Sequence, residues 1–248
     1  MSLIDETYRV AWGDLVYMKG NIVEVLLSSL VGPLLYLLAF GFGVGGNMED
    51  PASYVMYIIP GIIALTTLSA TFSTVSMKIL VQRLFYMSFD ELLLCPIHIP
   101  AIILGKTVQG MARALISCTI LLGVGKLLSP DVVINPWIFV VIIVSSMMFS
   151  LLGRLAGMLT NKTQNLSLFS AIVIVPMTFL CGTLFDVNTL PDAAAYVIYA
   201  LPLTHVSALM RGLMLPEYSV GLDSIIIVAL YIVVLFAICY YMIKENKC

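Results

Sequence analysis

Six apolar stretches, each long enough to cross a lipid bilayer, constrain this chain more than any other feature. They cover residues 22–44, 54–77, 101–128, 136–159, 166–184 and 221–243. A hydrocarbon layer of ~30 Å takes about 20 residues of α-helix, and a helix satisfies its own backbone in lipid. The expected fold is an all-α membrane protein with six transmembrane helices. Charged residues make up only 10% of the 248 and hydrophobic ones 61%, against roughly 25% charged in soluble domains, which excludes a water-soluble globule. Six spans with their loops use up the length, so residues 1–248 read as a single membrane domain with no separate catalytic domain. The net charge of -2 comes without the clustered Lys and Arg that phosphate neutralisation demands, and nucleic acid is not an expected partner.

Local features fit this frame. Pro33, Pro60 and Pro176 fall in or near the runs and should bend them, since proline removes a helix hydrogen bond that bundle neighbours can replace. Cys95, Cys118, Cys181, Cys239 and Cys248 show no C-x-x-C spacing and read as small packing residues. The N-terminus carries Asp5 and Glu6 and lacks the basic flank and cleavage site of a signal peptide, so the first span should be retained. Before that span, Tyr8, Ala11, Trp12, Leu15 and Val16 follow helical spacing on one face, which predicts a helix lying in the membrane interface.

Basic residues near span ends are retained in the cytoplasm. With the N-terminus inside, the inner side collects Arg9, Lys19, Lys78, Arg83, Lys106, Arg154, Lys162, Lys244 and Lys247, nine of the twelve Lys and Arg. Lys126 and Arg211 fall outside, and both termini are expected in the cytoplasm. The sequons at Asn161 and Asn165 then lie in an inner loop and should stay unglycosylated.

Two regions break the plain alternation of span and loop. Residues 83–100, RLFYMSFDELLLCPIHIP, contain Ser88 followed three residues later by Glu91, the pattern of a capping box. A short inner helix should begin there, with Asp90 and Glu91 at its positive end and Pro96 as its stop. Residues 185–220 are divided by Pro191, Pro202 and Pro216 into two pieces of about eleven residues, each ~16 Å long and too short to cross. They are expected to form a re-entrant helical hairpin before the last span. A single crossing helix there would place Lys244 and Lys247 outside, against the charge bias.

Chemistry of the chain's own is hard to assemble from these residues. Gly105-Lys106-Thr107 resembles the end of a phosphate-binding loop, but the position that motif fills with its first glycine is Pro100. Lys106 reads instead as a snorkelling anchor. The two histidines, His98 and His205, fall on opposite sides of the membrane, and the carboxylates lie at span ends or in loops. No metal site, catalytic dyad or cofactor site is expected. Arg113 is the one charge placed well inside an apolar run, where it either lines an inner cavity or snorkels. Gly153-x-x-x-Gly157 permits close helix packing, first of all within the bundle.

The arrangement resembles the permease subunits of type-2 ABC exporters over nearly the whole chain. Three stretches carry the resemblance: the amphipathic start leading through Lys19-Gly20-Asn21 into a span with Pro33; FDELLLCPIHIPAIILGK at 89–106; and PMTFLCGTLFDVNTLP followed by LPLTHVSALMRGL within 176–213. The last looks like the signature of the branch that includes nodulation-type lipo-oligosaccharide exporters and many drug exporters. The resemblance implies a permease that binds no ATP itself and pairs with a second copy and with separate ATP-hydrolysing subunits in the plasma membrane. It implies that the inner helix is the coupling helix, with Ser88, Asp90, Glu91, Leu92, Leu93 and Pro96 at the ATPase. It places Pro191, Pro202, Thr204, His205 and Arg211 in an outer lid. Ile99-Pro100 after His98 departs from the pattern. An apolar pathway suits an amphipathic, lipid-linked, glycolipid or drug-like substrate. A secondary transporter would need inverted repeats or intramembrane carboxylates, and a non-transporting scaffold is the other alternative.

Overall fold

The computed structural model describes residues 2–44, 51–130, 132–183, 198–215 and 218–246. α1 (Leu3–Gly20) is capped by Ser2, whose Oγ accepts the Asp5 N–H at 3.3 Å, and Asp5 and Glu6 occupy the first turn where the helix dipole favours them. The helical geometry breaks at Asn21 and resumes as α2 (Ile22–Leu38), which ends in a π-helical turn, Ala39–Val44. α3 (Pro51–Leu84), α4 (Ser88–Leu94), α5 (Ile99–Leu128) and α6 (Trp137–Leu159) follow. α7 begins as Thr163–Phe169, widens into a π segment at Ser170–Ile174 and ends as Val175–Leu180. That widening directly precedes Pro176, which has no N–H to close the regular ladder. α8 (Pro202–Met214) and α9 (Leu222–Asn246) complete the chain. Among the described residues there is no strand, and six helices are long and apolar enough to cross a membrane: α2, α3, α5, α6, α7 and α9.

α3 is the central element. Its apolar window lies mostly inside the protein, whereas α2, α7 and α9 leave most of theirs exposed, which costs nothing where the surroundings are lipid. Its principal neighbours are α6 and α5. The α3–α6 crossing is close because Gly153 and Gly157 face it: a Cβ at Gly153 would lie 2.9 Å from the Phe72 carbonyl oxygen, and one at Gly157 would lie 2.6 Å from that of Ser76. The Gly153-x-x-x-Gly157 pair therefore packs within the bundle, as the sequence indicates. Gly157→Ala should lower stability by about 1–3 kcal/mol because two backbones must part. Gly123→Ala, where a Cβ meets nothing within 4 Å, should raise it by about 0.5–1 kcal/mol. Thermal unfolding in detergent reads both signs.

The polarity of α9 decides how the chain passes from α7 to its end. Cys239 Sγ lies 3.7 Å from the Leu151 carbonyl oxygen, and one groove is lined by Trp137, Val140 and Val144 of α6 beside Ile225, Val228 and Ile232 of α9. The two helices thus run in the same direction. An odd number of crossings separates them, and α7 supplies it, so α8 begins and ends at one end of the bundle. Residues 184–197, including Pro191 and the first limb of the expected hairpin, lie outside the described residues.

Several boundaries and roles differ from expectation. α3 continues to Leu84 rather than Met77, and the fifth span is Thr163–Leu180 rather than 166–184. No side chain caps α4: the residue before it, Met87, is left-handed (φ 53°), and Ser88 already sits in the first turn. The expected capping box is absent because the turn out of α3, with the Phe85 and Tyr86 N–H groups on the Val81 carbonyl, brings the chain into the helix one residue earlier, so that the Glu91 N–H bonds the Met87 carbonyl at 3.3 Å. Cys118, Cys181 and Cys239 are buried packing residues, but Cys95 is exposed.

Candidate functional site

α4 stands at the same end of the bundle as α1. Phe89 and Leu93, one turn apart, are 2% and 8% exposed and pin it to the core. Its other side carries Glu91, Leu94, Cys95 and Pro96, all exposed, and the turn before it adds exposed Phe85, Tyr86 and Met87. Ser88 and Leu92 are half-buried. Leu94 is 88% exposed. Among its described side chains this short helix thus presents an apolar face with the Glu91 carboxylate, away from the body of the bundle, while the Asp90 side chain lies outside the described residues. Pro100 does not break the link to α5, since it falls in the first turn of that helix, where its missing N–H goes unneeded.

α1 grips both ends of that link. Glu6 accepts the His98 backbone N–H at 3.0 Å and lies 2.9 Å from its ring Nδ1. The backbone N–H first, and the ring after it, hold the Glu6 carboxyl below the usual carboxylate value. Two turns on, Asp14 is 6% exposed and receives Lys78 of α3 at 2.8 Å and Lys106 of α5 at 3.2 Å. Lys78 also donates to Gln109 Oε1 at 2.8 Å. Lys106 is therefore not a free snorkelling anchor: its ammonium is bound to a carboxylate that α1 brings over it. The face of α1 turned to the bundle is Glu6, Ala11, Asp14 and Met18, while Tyr8, Trp12 and Val16 are exposed. Ala11 thus faces protein, with only the larger residues of the expected apolar face left outward.

Arg154 also goes beyond the sequence reading, which counts it only among the cations of the inner side. It is 0% exposed, inside α6, with Nη1 donating to the Ile102 carbonyl at 3.2 Å and with Nε and Nη2 meeting no acceptor among the described residues. Arg113 is thus not the one charge inside a span. Arg113 donates through Nη2 to Ser28 Oγ and lines a cavity of about 450 Å³ between α2, α3, α5 and α7.

At the opposite end, α8 is buried on nearly every side. Pro202 opens it. Thr204 Oγ1 donates to the Ile198 carbonyl at 2.7 Å, and His205 Nε2 lies 2.8 Å from the Tyr199 carbonyl with Nδ1 3.4 Å from Ser224 Oγ of α9. Arg211 donates to the Gly182 and Thr183 carbonyls and sits 4.0 Å over the Tyr57 ring of α3. His205 and Arg211 lock α8 to α9, to the segment after α7 and to α3, while Pro202 and Thr204 set its start. They are distant from α4, and His98 and His205 stand at opposite ends. Among the described residues no cluster of three His, Cys, Asp or Glu could hold a metal.

Sequence reasoning missed Glu6, Asp14 and Arg154. A signal for Asp14 was present: with Ala11 and Met18 it follows the 3.6-residue period of a buried face, so a carboxylate there needs a cation from another element.

Residues 6–215 match the family model described as ABC-2 type transporter. The chain is 25% identical to the inner membrane transport permease YadH of Escherichia coli strain K12 over 230 residues, covering 91% of this chain and 89% of YadH. It is 28% identical to Nodulation protein J of Rhizobium leguminosarum bv. viciae, covering 92% and 90%. With Nodulation protein J of Rhizobium meliloti strain 1021 the identity is 28%, covering 79% and 77%.

Proposed function

The chain belongs to the ABC-2 type transporter family, and from that premise we propose that it is the membrane half of an ATP-driven exporter. In this reading two copies form the pathway in the plasma membrane. Separate ATPase subunits dock on α4 from the cytoplasm, where both termini lie, and the permeant is an amphipathic, lipid-linked, glycolipid or drug-like molecule. The chain itself hydrolyses nothing.

The observation that supports this reading most is the division of α4 into two faces. Phe89 and Leu93 hold it to the bundle while Tyr86, Met87, Glu91 and Leu94 stay outward, so a partner that pushes on the outer face moves the bundle through these anchors. Leu93, by this geometry, transmits force and is not itself a contact. Because Glu6 holds His98 at the exit of α4, and Asp14 holds Lys78 and Lys106, a push on α4 moves α1, α3 and α5 together. Access to the pathway between two copies then switches as ATP closes the partner subunits. α8, with Arg211 on the Gly182 and Thr183 carbonyls, serves as the returning limb of the outer lid.

Cys95 offers the test. Cys118, Cys181 and Cys239 are buried, so in a Cys248→Ser background Cys95 is the thiol open to reagent. A membrane-impermeant maleimide should label it in inside-out vesicles and leave right-side-out vesicles blank. Stripping a stoichiometric ATPase from the vesicles should speed labelling severalfold. Labelling from the outside, or purification of an active ion-gradient transporter with no ATPase, overturns the proposal.

A further inference from the structure

The cavity beside Arg113 has a composition that the permease reading alone does not explain. It lies about halfway along α5, since Arg113 is fourteen residues into a thirty-residue helix, or ~21 Å at 1.5 Å per residue. Besides Arg113 its walls carry Ser28 of α2, Ser69, Ser73 and Thr74 of α3 and Thr178 of α7. Ser69 and Ser73 stand one turn apart on an exposed stripe of α3, the helix otherwise most enclosed. No carboxylate lines it, and among the described residues the ion pairs within 4 Å are those of Asp14 and Glu6. Glu24, one turn before Ser28, does not reach Arg113 within that distance.

The other enclosed cations differ. Lys78 and Lys106 share Asp14, and Arg211 has two carbonyls and a ring. Arg154 is sealed in with no cavity at its side among the described pockets, one of its groups on a carbonyl. Arg113 alone among them reaches only a hydroxyl, and its Nε is buried without an acceptor. The Ser28 oxygen that it meets already donates to the Glu24 carbonyl at 2.7 Å, so it offers Arg113 a lone pair and no charge. Ser73 Oγ makes no bond among the described residues, and Ser69 Oγ has only a 3.4 Å contact to the Thr66 carbonyl. Both can turn a donor into the cavity. A guanidinium at mid-span carries a cost that a partner must meet, and a planar fork beside free hydroxyls fits the oxygens of a phosphate or carboxylate.

We infer that the cavity bounded by Arg113, Ser28, Ser69 and Ser73 binds the anionic headgroup of a single-chain or lipid-linked amphiphile, the permeant of this transporter. This rests on the permease reading for its role in transport, though not for the binding itself. The cavity has room for a headgroup of a few heavy atoms and the start of a chain, and its lining residues Ser28, Gly32, Ser69 and Ser73 are exposed, so the remainder can lie along the apolar outer surface.

The test is photolabelling of the full-length chain in nanodiscs of neutral lipid, with a dodecyl phosphate carrying a diazirine near its head. Labelled peptides should come from α3 around Ser69–Thr74. Arg113→Gln should cut labelling about tenfold or more, the size of one lost charge-assisted contact, and Arg113→Lys should restore most of it. Unlabelled dodecyl phosphate should compete, and dodecyl maltoside should not. Equal labelling of Arg113→Gln with unchanged thermal unfolding, or equal competition by dodecyl maltoside, overturns the inference. Competition by inorganic phosphate in the same concentration range overturns its amphiphile part. Labelling that holds while no ATPase can be found sinks the exporter and leaves the site standing; labelling that fails in a preparation rich in ATPase sinks the site alone.

Discussion

A chain carrying Tyr86→Asp and Leu94→Asp should insert, fold and melt like its parent and yet transport under about a tenth as much. Both side chains are exposed, at 71% and 88%, so substitution there costs stability at most about 0.5 kcal/mol. Buried in a partner's groove, each apolar side chain at the centre of an interface is worth about 2 kcal/mol or more, and a carboxylate brought there adds its desolvation cost. The ATPase recovered with the purified chain should fall in step with transport. Leu93→Asp provides the contrast. At 8% exposed beside Phe89, it should lower the melting temperature first. Normal transport by the Tyr86→Asp, Leu94→Asp chain would remove α4 from the coupling path.

Asp14→Asn should be the most destabilising single change at a polar residue. It leaves two ammonium groups, Lys78 and Lys106, which it now holds at 2.8 and 3.2 Å, close together in a largely enclosed site. Breaking a buried pair by removing one partner costs about 3–5 kcal/mol, because the other charge stays behind. Since this carboxylate is the ion-pair link of α1 to α3 and α5, protease should release α1 before the bundle unfolds. Asp14→Leu with Lys106→Met should recover part of the loss, because Lys78 keeps Gln109 at 2.8 Å. The recovered part, read as the coupling in a double-mutant cycle by thermal unfolding, measures the pair. A single Asp14→Asn chain that melts within a degree of its parent would refute the clamp.

The two predictions concern the features that were least and most legible in the chain. The existence of α4 could be read from a polar interruption between two spans, but its start could not. Ser88 and Glu91 have the spacing of a cap, and the hydrogen bond that would have made them one is lost because Met87 turns left-handed at the exit from α3. Asp14 drew no reading from the sequence. Its partners are ninety-two residues away in Lys106 and sixty-four in Lys78, so the local period that marks Asp14 as buried cannot name them.

Length and hydropathy determined six helices long and apolar enough to span a membrane, and helical periodicity and proline spacing determined that α1 precedes the first span and that short helical segments interrupt the regular alternation. Those outcomes follow from one-body terms, the transfer of each segment between water and lipid and the need of its backbone to bond internally. Tertiary structure alone decided that Lys106 is paired and Arg154 sealed, that Gly153 and Gly157 seat α6 on α3, that α9 runs parallel to α6, and that Arg113 opens onto a cavity. These are pairwise matters, because whether a charge or a glycine is costly or needed depends on what another helix brings within a few ångströms of it.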